Sequence, residues 1–122
     1  SSTVLIFLFL LFVKHAFCDL AIQRLFPSNK TEYFNKPAHT HYFHHGAGTF
    51  LVALMIDIKF AFVVGFLDYL IHWHVDFCKS CVRQHYGWEE QDLSFWVLQS
   101  VDQILHYLTY ILFSLLVLQF YV

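Results

Sequence analysis

Asp68-Tyr69-Leu70-Ile71-His72-Trp73-His74-Val75-Asp76-Phe77-Cys78-Lys79 closes an apolar run that begins near Phe60. Asp68, His72 and Asp76 stand four residues apart. On a helix of 3.6 residues per turn, side chains at that spacing stack on one face. A helix apolar enough for lipid therefore carries two carboxylates and an imidazole in a column. On insertion scales an isolated charge at mid-bilayer costs about 2.5–3.5 kcal/mol, so such groups face partners inside a bundle. The column fixes the question put to the remaining sequence, namely what faces it.

The composition makes lipid the expected solvent. The chain has 122 residues, 58% of them hydrophobic and 13% charged. A soluble domain carries about a quarter charged residues. Apolar runs of about 20 residues fit membrane spans, and four are read here, at residues 3–25, 38–56, 60–80 and 92–121. The expected fold is all-α, an integral membrane four-helix bundle, with residues 1–122 forming one transmembrane domain. The first run lacks a basic leading segment and a small-residue cleavage site, so it reads as a span that stays. Pro27 and the polar stretch from Ser28 to Pro37 end it. Asp57-Ile58-Lys59 is a very short connection and makes spans two and three an antiparallel hairpin. The net charge of −2 gives no reason to expect a nucleic-acid partner. Arg24, Lys30, Lys36, Lys79 and Arg83 lie on the side of the two long loops and only Lys59 on the other. The positive-inside rule then places the long loops on the cytoplasmic side of a bacterial inner membrane or an organelle equivalent.

The facing groups come from the other spans. Each span carries one pair of metal-ligand residues at a spacing of four: His15/Asp19, His41/His45, His72/Asp76 and Asp102/His106. At 1.5 Å per residue all eight fall in one layer on the long-loop side. Imidazole and carboxylate suit zinc, iron or manganese, and bundle cores build dinuclear sites from facing helices. Eight candidates suit two divalent ions better than one. Gln23, Asp68, Gln103 and Lys79 are candidates for orienting the ligands. Asp68, one turn deeper and without a counterpart in every span, is also the candidate general base. For any one pair, a structural His–Asp hydrogen bond competes with metal ligation; four pairs in one layer favour the metal. The Gly46-Ala47-Gly48 segment admits a close helix neighbour. Cys78-Lys79-Ser80-Cys81 has the spacing of redox and zinc motifs, a weak signal by itself.

The same residues carry a family resemblance. His15-x-x-x-Asp19-x-x-x-Gln23, the pair His41 and His45-Gly46, His72-x-x-x-Asp76-x-x-Lys79 and Asp102-Gln103-x-x-His106 occur in order. Together they resemble the motifs of a family of small bacterial and phage membrane proteins, domain-of-unknown-function family 3307. The resemblance implies a membrane location and a helical architecture; it implies no activity. Three readings of function follow from the residues. The first is a metal-dependent membrane hydrolase whose dinuclear centre activates water near the lipid head groups. The second is a non-catalytic subunit bound to other membrane subunits, in which the His/Asp layer is structural. The third is a bis-histidine haem anchor, ranked last because haem has no use for three aspartates in the layer.

Overall fold

The computed structural model describes residues 1–22, 25 and 29–122. Helix α1 spans Ser2–Ala16 and runs into a π-helical segment, Phe17–Ile22. Helices α2 (Lys36–Ala53), α3 (Ile58–Tyr86) and α4 (Leu93–Phe120) follow. The described residues contain no strand, in keeping with the all-helical expectation. Gln23, Arg24, Pro27 and Ser28 lie outside the described residues, and with them one expected orienting group, one basic residue of the sidedness count, and the expected end of the first span.

Local chemistry sets the helix ends. Asn35 caps α2, its Oδ1 accepting the Ala38 N–H at 3.0 Å. Pro37, expected in the loop, belongs to the first turn of α2. Its missing N–H has no helical acceptor there in any case. Asp57 caps α3 through Oδ2 on the Phe60 N–H at 3.0 Å. Helix α3 runs past the expected end near Ser80 to Tyr86. It stops at Gly87, whose φ of 66° is a left-handed conformation open to glycine at little cost. Nothing between Ser80 and Gly87 breaks a helix, and the polar residues there lengthen α3 instead of forming a loop.

The bundle interior has two halves. Toward the chain termini Phe7, Leu11, Phe60, Val64, Phe113 and Val117 form an apolar core. Toward the loops the buried residues include His15, His41, His45, His72, Asp76, Asp102 and His106. Large apolar side chains cover the exterior, among them Leu5, Phe9, Phe62, Phe66, Ile104 and Leu115. Water would not tolerate so wide an apolar exterior, whereas lipid would.

Three helical segments are long and apolar enough to cross a membrane: Ser2–Ile22, Ile58–Tyr86 and Leu93–Phe120. Helix α2, expected as a fourth span, falls short of them. Its 18 residues extend about 27 Å at 1.5 Å per residue, less than a hydrocarbon core of about 30 Å. His39, His41, His44 and His45 also make its first half polar. It packs most extensively against α3. A Cβ added to Gly46 would stand 2.8 Å from the Gly65 carbonyl oxygen, and one added to Gly65 would stand 3.0 Å from that of Gly46. The two backbones meet where neither residue has a side chain, as the Gly46-Ala47-Gly48 segment implied.

A candidate metal centre in the bundle interior

The layer assembles around a residue that sequence reasoning passed over. Lys14, 9% exposed, extends from α1 into the bundle. Its stem passes over Gly48, where an added Cβ would fall 2.5 Å from Lys14 Cγ and 2.7 Å from Cδ. Its ammonium donates to Asp68 Oδ2 at 2.9 Å, to the Tyr110 hydroxyl at 2.9 Å and to His45 Nδ1 at 3.1 Å. All three donors of the ammonium are thereby used. Asp68 also accepts from the Thr49 hydroxyl and from His72 Nδ1–H, the latter at 2.6 Å. Asp68 therefore has counterparts on every helix, in Lys14, Thr49 and Tyr110. The sequence carried the signal: Thr49 follows His45 by four residues and Tyr110 follows His106 by four, so the columns continue one turn deeper. An ionisable residue at position 14 of an apolar run is by itself a functional pointer.

The partners assign the imidazole tautomers. With Lys14 donating to Nδ1, His45 carries its proton on Nε2, which donates to Asp19 Oδ1 at 2.7 Å. The Tyr110 hydroxyl, accepting from Lys14, donates to His15 Nδ1 at 2.8 Å. His15 Nε2–H then donates to Gln103 Oε1 at 2.8 Å and lies 3.1 Å from Asp19 Oδ2. The amide N–H groups of Gln103 donate to Asp19 Oδ2 at 3.1 Å and Asp102 Oδ2 at 3.0 Å. His72 commits Nδ1 to Asp68, which leaves its lone pair on Nε2. That atom is buried and has no hydrogen-bond partner among the described residues.

All eight expected ligands meet in this interior, as two groups with a bridge. Ligand atoms of His15, Asp19, His45 and His72 lie within 4.8 Å of one another, and so do those of Asp76, Asp102 and His106. His41 stands between the groups, its Nε2 3.4 Å from Asp19 Oδ1 and 3.7 Å from Asp76 Oδ2. Two of the pairs within a helix hold in space, His15 with Asp19 at 3.1 Å and Asp102 with His106 at 3.3 Å. His41 and His45 meet edge to face at 4.7 Å. The pair His72/Asp76 divides: His72 bonds Asp68, one turn the other way, and Asp76 faces His106 Nε2 at 3.4 Å. The rings of His45, His72 and His106 form a stack, with centroids 3.7 and 3.8 Å apart.

Lysines close the outer side. Lys30 Nζ lies 2.9 Å from Asp76 Oδ2. Lys79 Nζ lies 3.4 Å from Asp102 Oδ2 and donates to Gln99 at 3.1 Å. Lys79, expected as an orienting group, thus stands against Asp102. Lys30 arrives from the first loop, which is pinned beside α3. Trp73 Nε1–H donates to the Tyr33 carbonyl at 3.0 Å, and the Tyr33 hydroxyl meets His74 Nε2 at 2.8 Å. The π-helical segment carries Asp19, and an extra residue in a helical turn is a device common at functional sites. The three cysteines are free; Cys78 is exposed and Cys81 half-buried, both outside this interior.

Fold and interior together define a class, a four-helix protein with three membrane-length apolar segments around a buried His/Asp centre. The chain matches the family described as "Protein of unknown function (DUF3307)" over residues 7–121, and it belongs to that family. No curated protein and no solved structure shows significant similarity to it.

Proposed function

We propose that this is a membrane protein whose interior holds two divalent metal ions, zinc, iron or manganese, one in each His/Asp group. The observation that carries the reading is the buried Nε2 of His72, a lone pair with no partner among the described residues, beside His15, Asp19 and His45. Three imidazoles with one carboxylate form a donor set suited to zinc or iron, and two carboxylates with one imidazole suit manganese, iron or zinc. Binding at the first group would require the Nε2 protons of His15 and His45 either to leave, which releases protons on metal uptake, or to move to Nδ1, where Tyr110 and Lys14 would have to give way.

The activity we attach to the centre is hydrolysis of an ester or phosphoester at the head-group level. An ion held by these His and Asp side chains would supply a water nucleophile and polarise the scissile group. Asp68 serves as the residue that orients His72, because its oxygens are engaged by Lys14, Thr49 and His72. Asp19 and Asp102, which line a cavity between α1 and α4, are the candidates for accepting the proton of the attacking water. In this reading the two loops face the cytoplasmic side, with Lys36 and Arg83 still counting toward that orientation.

Protein purified without chelators should contain at least one equivalent of zinc, iron or manganese by elemental analysis, and no Soret band. His72→Ala should remove about one equivalent of metal. Less than one metal per wild-type chain sinks the proposal, and a Soret band transfers the site to haem.

A further inference from the structure

The cavity between α1 and α4 has a rim and an interior of opposite character. Its volume is about 770 Å³, within the 300–1,000 Å³ range of small-molecule sites. The described lining residues that reach the surface are Phe12, Ala16, Leu20, Tyr107 and Ile111. Every charged residue described in the lining is buried or half-buried. The rim therefore belongs to the apolar exterior, between two segments long and apolar enough to cross a membrane. Phe12 and Tyr107 meet edge to face across the seam, with ring centroids 5.6 Å apart. Ala16, one turn on from Phe12, carries only a methyl group and leaves a gap beside them.

On the α4 side the lining follows one helix face. Gln99, Gln103, Tyr107 and Ile111 stand four residues apart. The column grades from polar toward the loops to apolar toward the termini. Gln103 is fully engaged, with His15, Asp19 and Asp102. Gln99 accepts from Lys79 at 3.1 Å, and its own amide N–H groups have no acceptor among the described residues. Tyr107 meets Phe12 and His15 through its ring, and its hydroxyl makes no hydrogen bond among the described residues. Idle donors facing hydrocarbon are costly, and a ligand with acceptors removes the cost.

We propose that the cavity takes up an uncharged glycerol ester from the lipid phase. The molecule enters through the gap at Ala16 and lies along the α4 column. Its hydroxyls meet Gln99, its ester carbonyl meets Tyr107, and its acyl chain follows Ile111 and Phe12. The two spare donors are two turns apart, about 12 Å along the axis at 1.5 Å per residue. A glycerol ester carries acceptors along its length between a polar end and a chain. Its direction is that of a lipid in the loop-side leaflet, head toward the loops and chain toward the bilayer centre. An uncharged head also adds no charge beside the buried carboxylates of Asp76 and Asp102 in the inner wall. The inference goes beyond the metal reading and does not need the ions; with ions in place, it names the ester that the centre would meet.

The test applies native mass spectrometry to the full chain in detergent, which counts bound lipid and bound metal in one spectrum. The probes are mono-oleoylglycerol, its ether analogue without the carbonyl, oleoyl lysophosphatidic acid with an anionic head, and glycerol monoacetate without the long chain. Wild-type protein should hold one mono-oleoylglycerol per chain, with at least threefold less of the ether and at least tenfold less of the other two. Ala16→Trp, which fills the gap and leaves every His and Asp in place, should lose ester binding at least tenfold. Ile104→Trp, at an exposed position of α4 outside the cavity, should keep it. Tyr107→Phe, which deletes one oxygen and keeps the proposal testable if Ala16→Trp fails to fold, should bind ester and ether equally. Wild-type protein that binds no ester, or binds the ether or lysophosphatidic acid as well as the ester, overturns the proposal. So does a folded Ala16→Trp that binds like wild type, or a Tyr107→Phe that still prefers the ester. Ester on metal-free chains supports this inference and rejects the metal reading; metal-loaded chains without ester do the reverse.

Discussion

Lys14 shows how single residues act in this interior. Its ammonium satisfies a carboxylate from α3, a hydroxyl from α4 and an imidazole from α2. Removing one member of a buried ion pair leaves its partner charged and unsolvated, at a cost of about 3–5 kcal/mol. Lys14→Met should therefore lower unfolding stability in detergent by about that amount, and Lys14→Met with Asp68→Leu should recover most of it. A double variant no more stable than Lys14→Met would show that Asp68 is not the group the lysine satisfies. At this scale the sequence was partly legible. The eight candidate ligands were identified because His and Asp at a spacing of four inside apolar runs have no ordinary explanation. Lys14 lies one position outside the repeating pairs. Thr49 and Tyr110 are common in apolar helices, so only the continuation of the columns one turn deeper could have singled them out. Asp68 was named as a group that could orient a ligand, but which ligand it would meet was not legible, because residues one turn before and one turn after share the same face.

Helices α2 and α3 depend on the absence of side chains at their crossing. The atoms that a Cβ at Gly46 would meet are the Gly65 carbonyl oxygen and Tyr69 Cβ, neither of which can move without its helix. Gly46→Ala or Gly65→Ala should push the pair apart and cost about 1–3 kcal/mol, the range for overpacking a tight contact, readable as a lowered midpoint of thermal unfolding. An unchanged midpoint in both variants would show that the helices separate freely at this crossing. Helix existence was legible throughout, since long apolar runs separated by polar segments admit few alternatives. Helix ends were less so. Pro37 joined a first turn that the sequence placed in a loop, and α3 ran on to Gly87 through residues whose polarity resembled that of a loop. Polarity reports the surroundings of a segment, and backbone geometry is set by caps and breakers.

The whole molecule is arranged inside out relative to a soluble bundle, with its polar residues gathered at one end of the interior and apolar residues over the exterior. A cysteine introduced at Glu90, between α3 and α4, should react with a membrane-impermeant thiol reagent from the cytoplasmic face alone in a background lacking Cys18, Cys78 and Cys81. Labelling from the opposite face would reverse the proposed orientation. The sequence expected four spans and three segments qualify. The difference lies in α2, which carries four histidines in its first half. The same residues that announced a site reduced the apolar character by which a span is recognised.

The three bonds of Lys14 join residues 31, 54 and 96 positions apart in the chain. Ribosomes deliver sequence from the N-terminus, so α1 emerges with Lys14, His15 and Asp19 long before Tyr110 exists. A first helix released alone into lipid would hold those groups unmet in hydrocarbon. Stable burial of α1 must therefore wait for α4, so that of these four helices the first to be made is the last to settle.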